Sequence, residues 1–328
     1  MKEWNGYKNG INLGGWLSQC SEYTEKHYSS FIVKNDFNII AENGYDHVRL
    51  PIDYDLIMTN DGNMIPEGFR HIDNAICWAK ENNLNLIIDL HKTIGYSFDD
   101  GENENGFFNS EKLQEHFYTI WDNIASRYAA FYPRVAFELL NEVTEKRFND
   151  TWMKIAKHAV SIIRSYSTDV KILLGGYFNN SIVAVKDIAM PFDQNIIYNF
   201  HCYEPLGFTH NGAYWIPWMP SDFRLAYPMS KDAYMDAIKD FPQDAHIADS
   251  FLPEGGLSEQ FFLNCFQEAV SIAEKRNVML YCGEYGVISY TDPAYKKAWL
   301  NDINHAFELC NIGHAIWTYR EMDFGLFK

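Results

Sequence analysis

Short apolar runs separated by amphipathic stretches recur along nearly all of the 328 residues, and that alternation admits few folds. Runs at 45–51, 84–90, 134–143, 170–175, 196–201, 278–282 and 313–318 each have strand length, and a first strand starting at Ile11 brings the number to eight. Between them the pattern changes to a helical period. Phe37, Ile39, Ile40 and Ala41 fit a helix over 35–43, and Ile72, Ala75, Ile76 and Ala79 one over 70–83, with further helices at 110–130, 151–166, 258–276 and 293–310. Strands trading places with helices predict an α/β protein, a (β/α)8 TIM barrel, in a single domain spanning 1–328. Barrels of this kind carry their chemistry at the C-terminal ends of the strands, so the residues there bear on function.

The run at 134–143, Arg-Val-Ala-Phe-Glu-Leu-Leu-Asn-Glu-Val, follows Pro133 and passes from apolar to polar. Its length and flanks favour a strand, although periodicity alone leaves a helix open. As a strand it sets Ala136, Glu138, Leu140 and Glu142 on one face, so two carboxylates point inward from one element. A buried carboxylate is costly unless paired, which marks the segment for chemistry and makes Arg49, inward from the second strand, the expected partner of Glu138. A second apolar run, from Val278, ends in Glu284 between Gly283 and Gly286. Two carboxyl groups converging across a cleft are the minimum machinery for cleaving a glycosidic bond, one as acid/base and the other as nucleophile or base. Either glutamate alone is as readily a helix cap or half of a surface ion pair.

Composition narrows the partners. With 27 basic and 44 acidic residues the formal charge is -17, which disfavours nucleic acid or an anionic membrane and leaves an uncharged ligand. Aromatics reach 16% of the chain; such faces stack on sugar rings, and they are also core material. Cys20, Cys77, Cys202, Cys265, Cys282 and Cys310 lie far apart, predicting free thiols rather than a zinc site or a disulfide framework. Neither an apolar leader nor a run of about 18 apolar residues is visible, so a soluble, cytoplasmic monomer is expected, or a secreted one if a signal peptide has been removed. No cofactor and no metal are expected. Gly-Ile-Asn-Leu-Gly-Gly-Trp at 10–16 lacks the Lys-Ser/Thr of a phosphate loop, and Asn12 and Gly14 stand where a metal-dependent barrel hydrolase would need His-x-His.

The rhythm breaks between His201 and Ser258, where six of the eleven prolines gather with Tyr203, Trp215, Trp218 and Tyr227. This predicts an inserted subdomain after strand 6, at 204–257, folded over the strand ends as an aromatic wall, with Trp215 or Trp218 turned toward a ligand. After Trp317 only a short tail remains, too little for an eighth helix, so an unusual closure of the barrel or a truncated C-terminus is expected.

Polar or aromatic residues at the predicted strand ends are Arg49, His91, Asn141, Glu142, His201, Tyr203, Glu284 and Trp317. They lie in His-Val-Arg-Leu-Pro, Asp-Leu-His, Phe-Glu-Leu-Leu-Asn-Glu, His-Cys-Tyr and Gly-Glu-Tyr-Gly, in that order, and near the last strand. Each motif alone is weak, but together, over 10–317, they resemble glycoside hydrolase family 5, the cellulase family of retaining (β/α)8 barrels. Within it the opening at 10–16 and the large insertion look most like clostridial endoglucanases; Val143 departs from the family's usual proline without touching a reacting group. The resemblance implies Glu142 as acid/base, Glu284 as nucleophile and Asn141 on the 2-hydroxyl of the reacting sugar. It further implies that His201 and Tyr203 orient the carboxylates, that His91 holds a neighbouring hydroxyl and that Trp317 forms the floor under the ring. Simple electrostatics divides the labour the same way, since Arg49 near Glu284 favours its ionised form while Glu142, facing a like charge, holds its proton. The implied activity is a retaining endo-β-glucanase cutting β-1,4 bonds of cellulosic or mixed-linkage β-1,3-1,4-glucan. An exo-β-1,3-glucanase, a β-mannanase and a non-catalytic carbohydrate-binding barrel are the alternatives.

Overall fold

The computed structural model describes residues 2–99 and 106–327. Eight parallel strands follow in order: β1 (Asn9–Asn12), β2 (His47–Asp53), β3 (Asn85–Lys92), β4 (Val135–Glu138), β5 (Ile172–Gly175), β6 (Ile196–Cys202), β7 (Met279–Tyr285) and β8 (Gly313–Ile316). Each pairs with the next, and β8 returns to β1 through Asn9↔His314 and Ile11↔Ile316, closing the barrel. Helices Lys34–Glu42, Phe69–Glu81, Glu111–Tyr128, Asn149–Arg164, Glu259–Arg276 and Pro293–Cys310 surround it, each near its expected place. The crossover from β5 to β6 carries only the short helical turns Tyr177–Asn180 and Ile182–Asp187. No helix among the described residues is long and apolar enough to cross a membrane.

Alternation along the strands explains two separate cores. Outward residues such as Val48, Leu50, Ile88, Phe137 and Ile172 join the helices in one large apolar cluster. Inward residues Ile87, Ala136, Leu173, Ile197, Tyr281 and Ala315 fill the barrel with Trp4 and Tyr7, whose rings stack at 3.9 Å. One register step toward the C-terminal ends, the inward positions turn polar: Asn12, Arg49, Asp89, Glu138 and Asn199, every one of them buried.

The tail needs no helix to hold β8. Thr318 Oγ1 donates to Asn12 O at 2.9 Å, Tyr319 OH to Asp36 Oδ1 at 2.8 Å and Arg320 Nη1 to Phe31 O at 2.9 Å, which fastens the segment across β1 and the helix Lys34–Glu42. The segment between β6 and Glu259–Arg276 contains helices Leu206–Thr209 and Lys231–Ile238 and the 3-10 stretch Gln243–Phe251. Its buried residues Phe208, Leu225, Tyr227, Tyr234 and Ile238 belong to the large outer cluster rather than to a core of their own. Tyr227 OH donates to Asp302 Oδ2 at 2.7 Å, and Trp299 Nε1 to Glu204 O at 3.2 Å, tying it to the last helix. All six cysteines are free, as their spacing predicts.

Candidate active site

Arg49 organises the polar layer. A guanidinium out of contact with water needs a partner for each of its five N–H groups. Nε and Nη2 form a fork on Glu138 at 2.7 and 2.8 Å. Nη2 also donates to Asn141 Oδ1 at 2.8 Å and lies 3.0 Å from Asp89 Oδ2. Nη1 divides between Asn12 Oδ1 at 2.9 Å and Glu284 Oε1 at 2.7 Å. Asn199 completes the layer, giving Nδ2 to Glu138 Oε1 at 2.8 Å and accepting the Gly283 N–H at 3.0 Å.

Glu284 reaches this layer because β7 bulges one residue before it. Phe200 of β6 faces Cys282, but its neighbour His201 faces Glu284. The skipped residue must be small, since a Cβ on Gly283 would lie 2.9 Å from Asn199 Oδ1 and 3.0 Å from His201 Nε2. Four residues beyond Glu138, where the chain has left β4, Glu142 comes to the same spot. Glu142 Oε1 is 2.7 Å from His201 Nδ1, and its Oε2 accepts from Asn179 Nδ2 at 2.7 Å. His201 Nδ1 is also 3.7 Å from Glu284 Oε2, which accepts from Tyr203 OH at 2.9 Å. One ligating atom each of Glu142, His201 and Glu284 thus lies within 4.8 Å of the others. His91 points in from β3 with Nδ1 on Asp89 Oδ2 at 2.5 Å and Nε2 3.4 Å from Asn141 Nδ2, and its ring lies parallel to Trp317 at 5.8 Å.

The two glutamates stand in different fields. Burial pushes Glu142 up to about 7; Asn179 and Arg49 pull it down, and Asp99 and Glu138 push it further up. Desolvation, more than a like charge facing it across the cleft, is what holds its proton. Burial also pushes His201 down to about 4, so its ring is neutral at pH 7 and serves Glu142 through a hydrogen bond. The Tyr203 phenol is driven well above its ordinary range by burial, then by Glu284, and stays a neutral donor.

Above these groups opens a cleft of about 1310 Å3 whose lining includes His91, Glu142, His201, Tyr203, Glu284 and Trp317. Arg49 and Asn141 do not line it; every donor of the guanidinium and the Asn141 oxygen are engaged in the polar layer. Trp215 lines the cleft and is 36% exposed. Trp218 does not line it; its ring packs on Phe241 at 5.3 Å, and Phe241 packs on Phe223 at 4.6 Å. Three residues of spacing in an irregular segment carry no facing information, which is why the two tryptophans could not be told apart. Asn12, Asp89, Asn199 and Asn179 are functional neighbours that strand-end reasoning passes over. Alternation along β3 and β6 was signal enough for Asp89 and Asn199, two residues before His91 and His201; Asn179 lies in a turn without period.

A sequence model of the cellulase family, glycosyl hydrolase family 5, matches residues 6–323. The chain is 41% identical to cellodextrinase A of Ruminococcus flavefaciens, over 94% of this chain and 84% of that protein. It is 35% identical to endoglucanase C of Acetivibrio thermocellus, over 98% of this chain and 94% of that protein. Among solved structures, the clostridial cellulose synthase subunit Z of Clostridioides difficile superposes with a TM-score of 0.76 at 23% identity, covering 98% of this chain and 94% of that one, a likeness of fold.

Proposed function

The chain belongs to the cellulase family, glycosyl hydrolase family 5, and on that premise we propose that this glycoside hydrolase is a retaining endo-β-glucanase. Its proposed substrates are cellulosic or mixed-linkage β-1,3-1,4-glucan, attacked at internal β-1,4 bonds. The observation that carries the reading is the close approach of Glu142 and Glu284, with ligating atoms within 4.8 Å and opposite supports. Retaining enzymes hold their carboxyl groups only about 5 to 5.5 Å apart, too near for an intervening water.

In the first step a Glu284 oxygen attacks the anomeric carbon while the Glu142 O–H bond breaks and its proton passes to the departing glycosidic oxygen. Arg49 and Tyr203 hold the two Glu284 oxygens in place at 2.7 and 2.9 Å. In the second step the Glu142 carboxylate takes a proton from water, whose oxygen bonds to the anomeric carbon as the bond to Glu284 breaks. Trp317 and the His91 ring form one wall of the cleft, an apolar surface on which a sugar face can lie. Both relatives are named for action on cellulose-type chains, one as a cellodextrinase and one as an endoglucanase. The net charge of -17 and the lack of lysine or arginine among the described lining residues suit a neutral polymer.

The test is hydrolysis of four polymers, β-1,4-glucan, mixed-linkage glucan, β-1,3-glucan and mannan, with product lengths followed over time. Cleavage of the first two with early products of mixed length is expected. Release of single sugars from β-1,3-glucan alone, or cleavage of mannan alone, would contradict the proposed specificity.

A further inference from the structure

The turn after β5 is built at a cost that the two-carboxylate chemistry by itself does not explain. Phe178, Asn179 and Asn180 carry left-handed backbones in succession, with φ of 52°, 55° and 55°. Residues with a Cβ adopt that region at an energetic cost and singly, so three in a row persist only where the surroundings over-determine them. Below them the Asn180 side chain is wholly buried, and among the described residues neither its Oδ1 nor its Nδ2 finds a hydrogen-bond partner. An orphaned buried amide is a second, independent cost in the same turn. Both fall beside one contact: Asn179 Nδ2 donates to Glu142 Oε2 at 2.7 Å, and the Asn179 backbone N–H donates to Val143 O at 3.1 Å.

We propose that Asn179 is a positioning residue for the acid/base, its amide fixing the plane of the Glu142 carboxyl group so that a lone pair of Oε2 stays directed into the cleft. The proposal rests on the reading of Glu142 as acid/base. A carboxyl group free to turn about its last bond presents its proton in several directions; a hydrogen-bond partner on each oxygen removes that freedom. His201 holds Oε1 and Asn179 holds Oε2, each at 2.7 Å. A hydrogen bond to a carboxylate is stronger than one to the neutral acid. Asn179 therefore opposes the burial that raises Glu142, keeping the group able both to give a proton in the first step and to take one in the second.

Two variants separate this from a merely structural role. Asn179→Gly removes the amide while leaving the left-handed backbone accessible, because glycine has no Cβ to clash. Asn179→Asp keeps the shape and replaces the donor with a second carboxylate. We would measure kcat/KM against pH on two aryl cellobiosides, a phenyl glycoside whose departure needs a proton and a dinitrophenyl glycoside whose departure does not. For Asn179→Gly the alkaline limb should move up by about one pH unit, the equivalent of one hydrogen bond to a charged group, and for Asn179→Asp it should move further. At the optimum the loss should be about tenfold on the phenyl glycoside and under about twofold on the other. An alkaline limb that stays in place in both variants, or equal losses on the two glycosides, would overturn the proposal. Glu142→Gln measured in parallel keeps the two readings apart. If it too loses equally on both glycosides, the acid/base reading fails; if it shows the split and the Asn179 variants do not, the positioning role alone fails.

Discussion

At Glu284 one oxygen accepts from a guanidinium and the other from a phenol, whereas Glu142 has a neutral imidazole and an amide. The same side chain thus meets a charged donor in one place and only neutral partners in the other. The proposed mechanism needs Glu142 protonated in the free enzyme, so kcat/KM on substrates with poor leaving groups should fall as pH rises through about 7. The sign for stability follows from the same shift. The folded protein binds this proton more tightly than the unfolded chain, whose glutamate keeps a value near 4.5, so stability is lost as pH rises from there toward 7. Glu142→Gln should therefore raise the Tm at pH 8 and change it little at pH 4, a pattern that equal shifts at both would refute. Glu142→Ala should lower turnover of a phenyl glycoside by about 10^2 to 10^4-fold and regain activity with azide on an activated one. Glu284→Gln should lose turnover on both while still binding oligosaccharide; rates close to wild type would remove it from the reaction.

The barrel strands act as elements through the layer they share. Arg49 from β2, Asp89 from β3, Glu138 from β4, Asn199 from β6 and Glu284 from β7 meet in one hydrogen-bonded set, so Glu284 is aimed by four other strands. Glu138→Gln removes a charge from the Arg49 fork and leaves the guanidinium partly uncompensated. The expected cost is about 3 kcal/mol of stability, seen in denaturant titration, together with reduced kcat as Arg49 shifts under Glu284. Unchanged stability would show that Arg49 does not depend on Glu138. The connection after β6 separates its two tryptophans. Trp215→Ala should raise KM on long polymers about fivefold, the effect of roughly 1 kcal/mol of lost apolar contact, with little change in Tm. Trp218→Ala should instead lower stability by about 2 kcal/mol through the gap left beside Phe241, with KM unchanged. The reverse pattern would mean that the two rings have been assigned to the wrong places.

Across the whole molecule, what could be read from the sequence follows from what each position must satisfy. Parallel strands buried on both faces show as plain apolar runs, so all eight were placed, and Glu138 was paired with Arg49 by alternation alone. Glu142 and Glu284 stood out only as a pair, because two apolar runs that each end in a carboxylate suggest groups converging across a cleft, whereas either one alone has a bland explanation. Three features escaped. The β5 to β6 crossover has no full helix to leave a period, the buried residues of the inserted segment 204–257 join the main core, and Asn179 occupies a turn shaped by left-handed backbones. Position at a strand end also could not tell a residue that lines the cleft from one that does not, as Arg49 and Asn141 do not. The central claim is that these two carboxyl groups act in sequence on one sugar, through a covalent intermediate on Glu284. Proton NMR of the first product released from a β-glucan oligosaccharide tests it most directly. The β-anomer should appear first and only later equilibrate; an α-anomer as the first product would contradict the account.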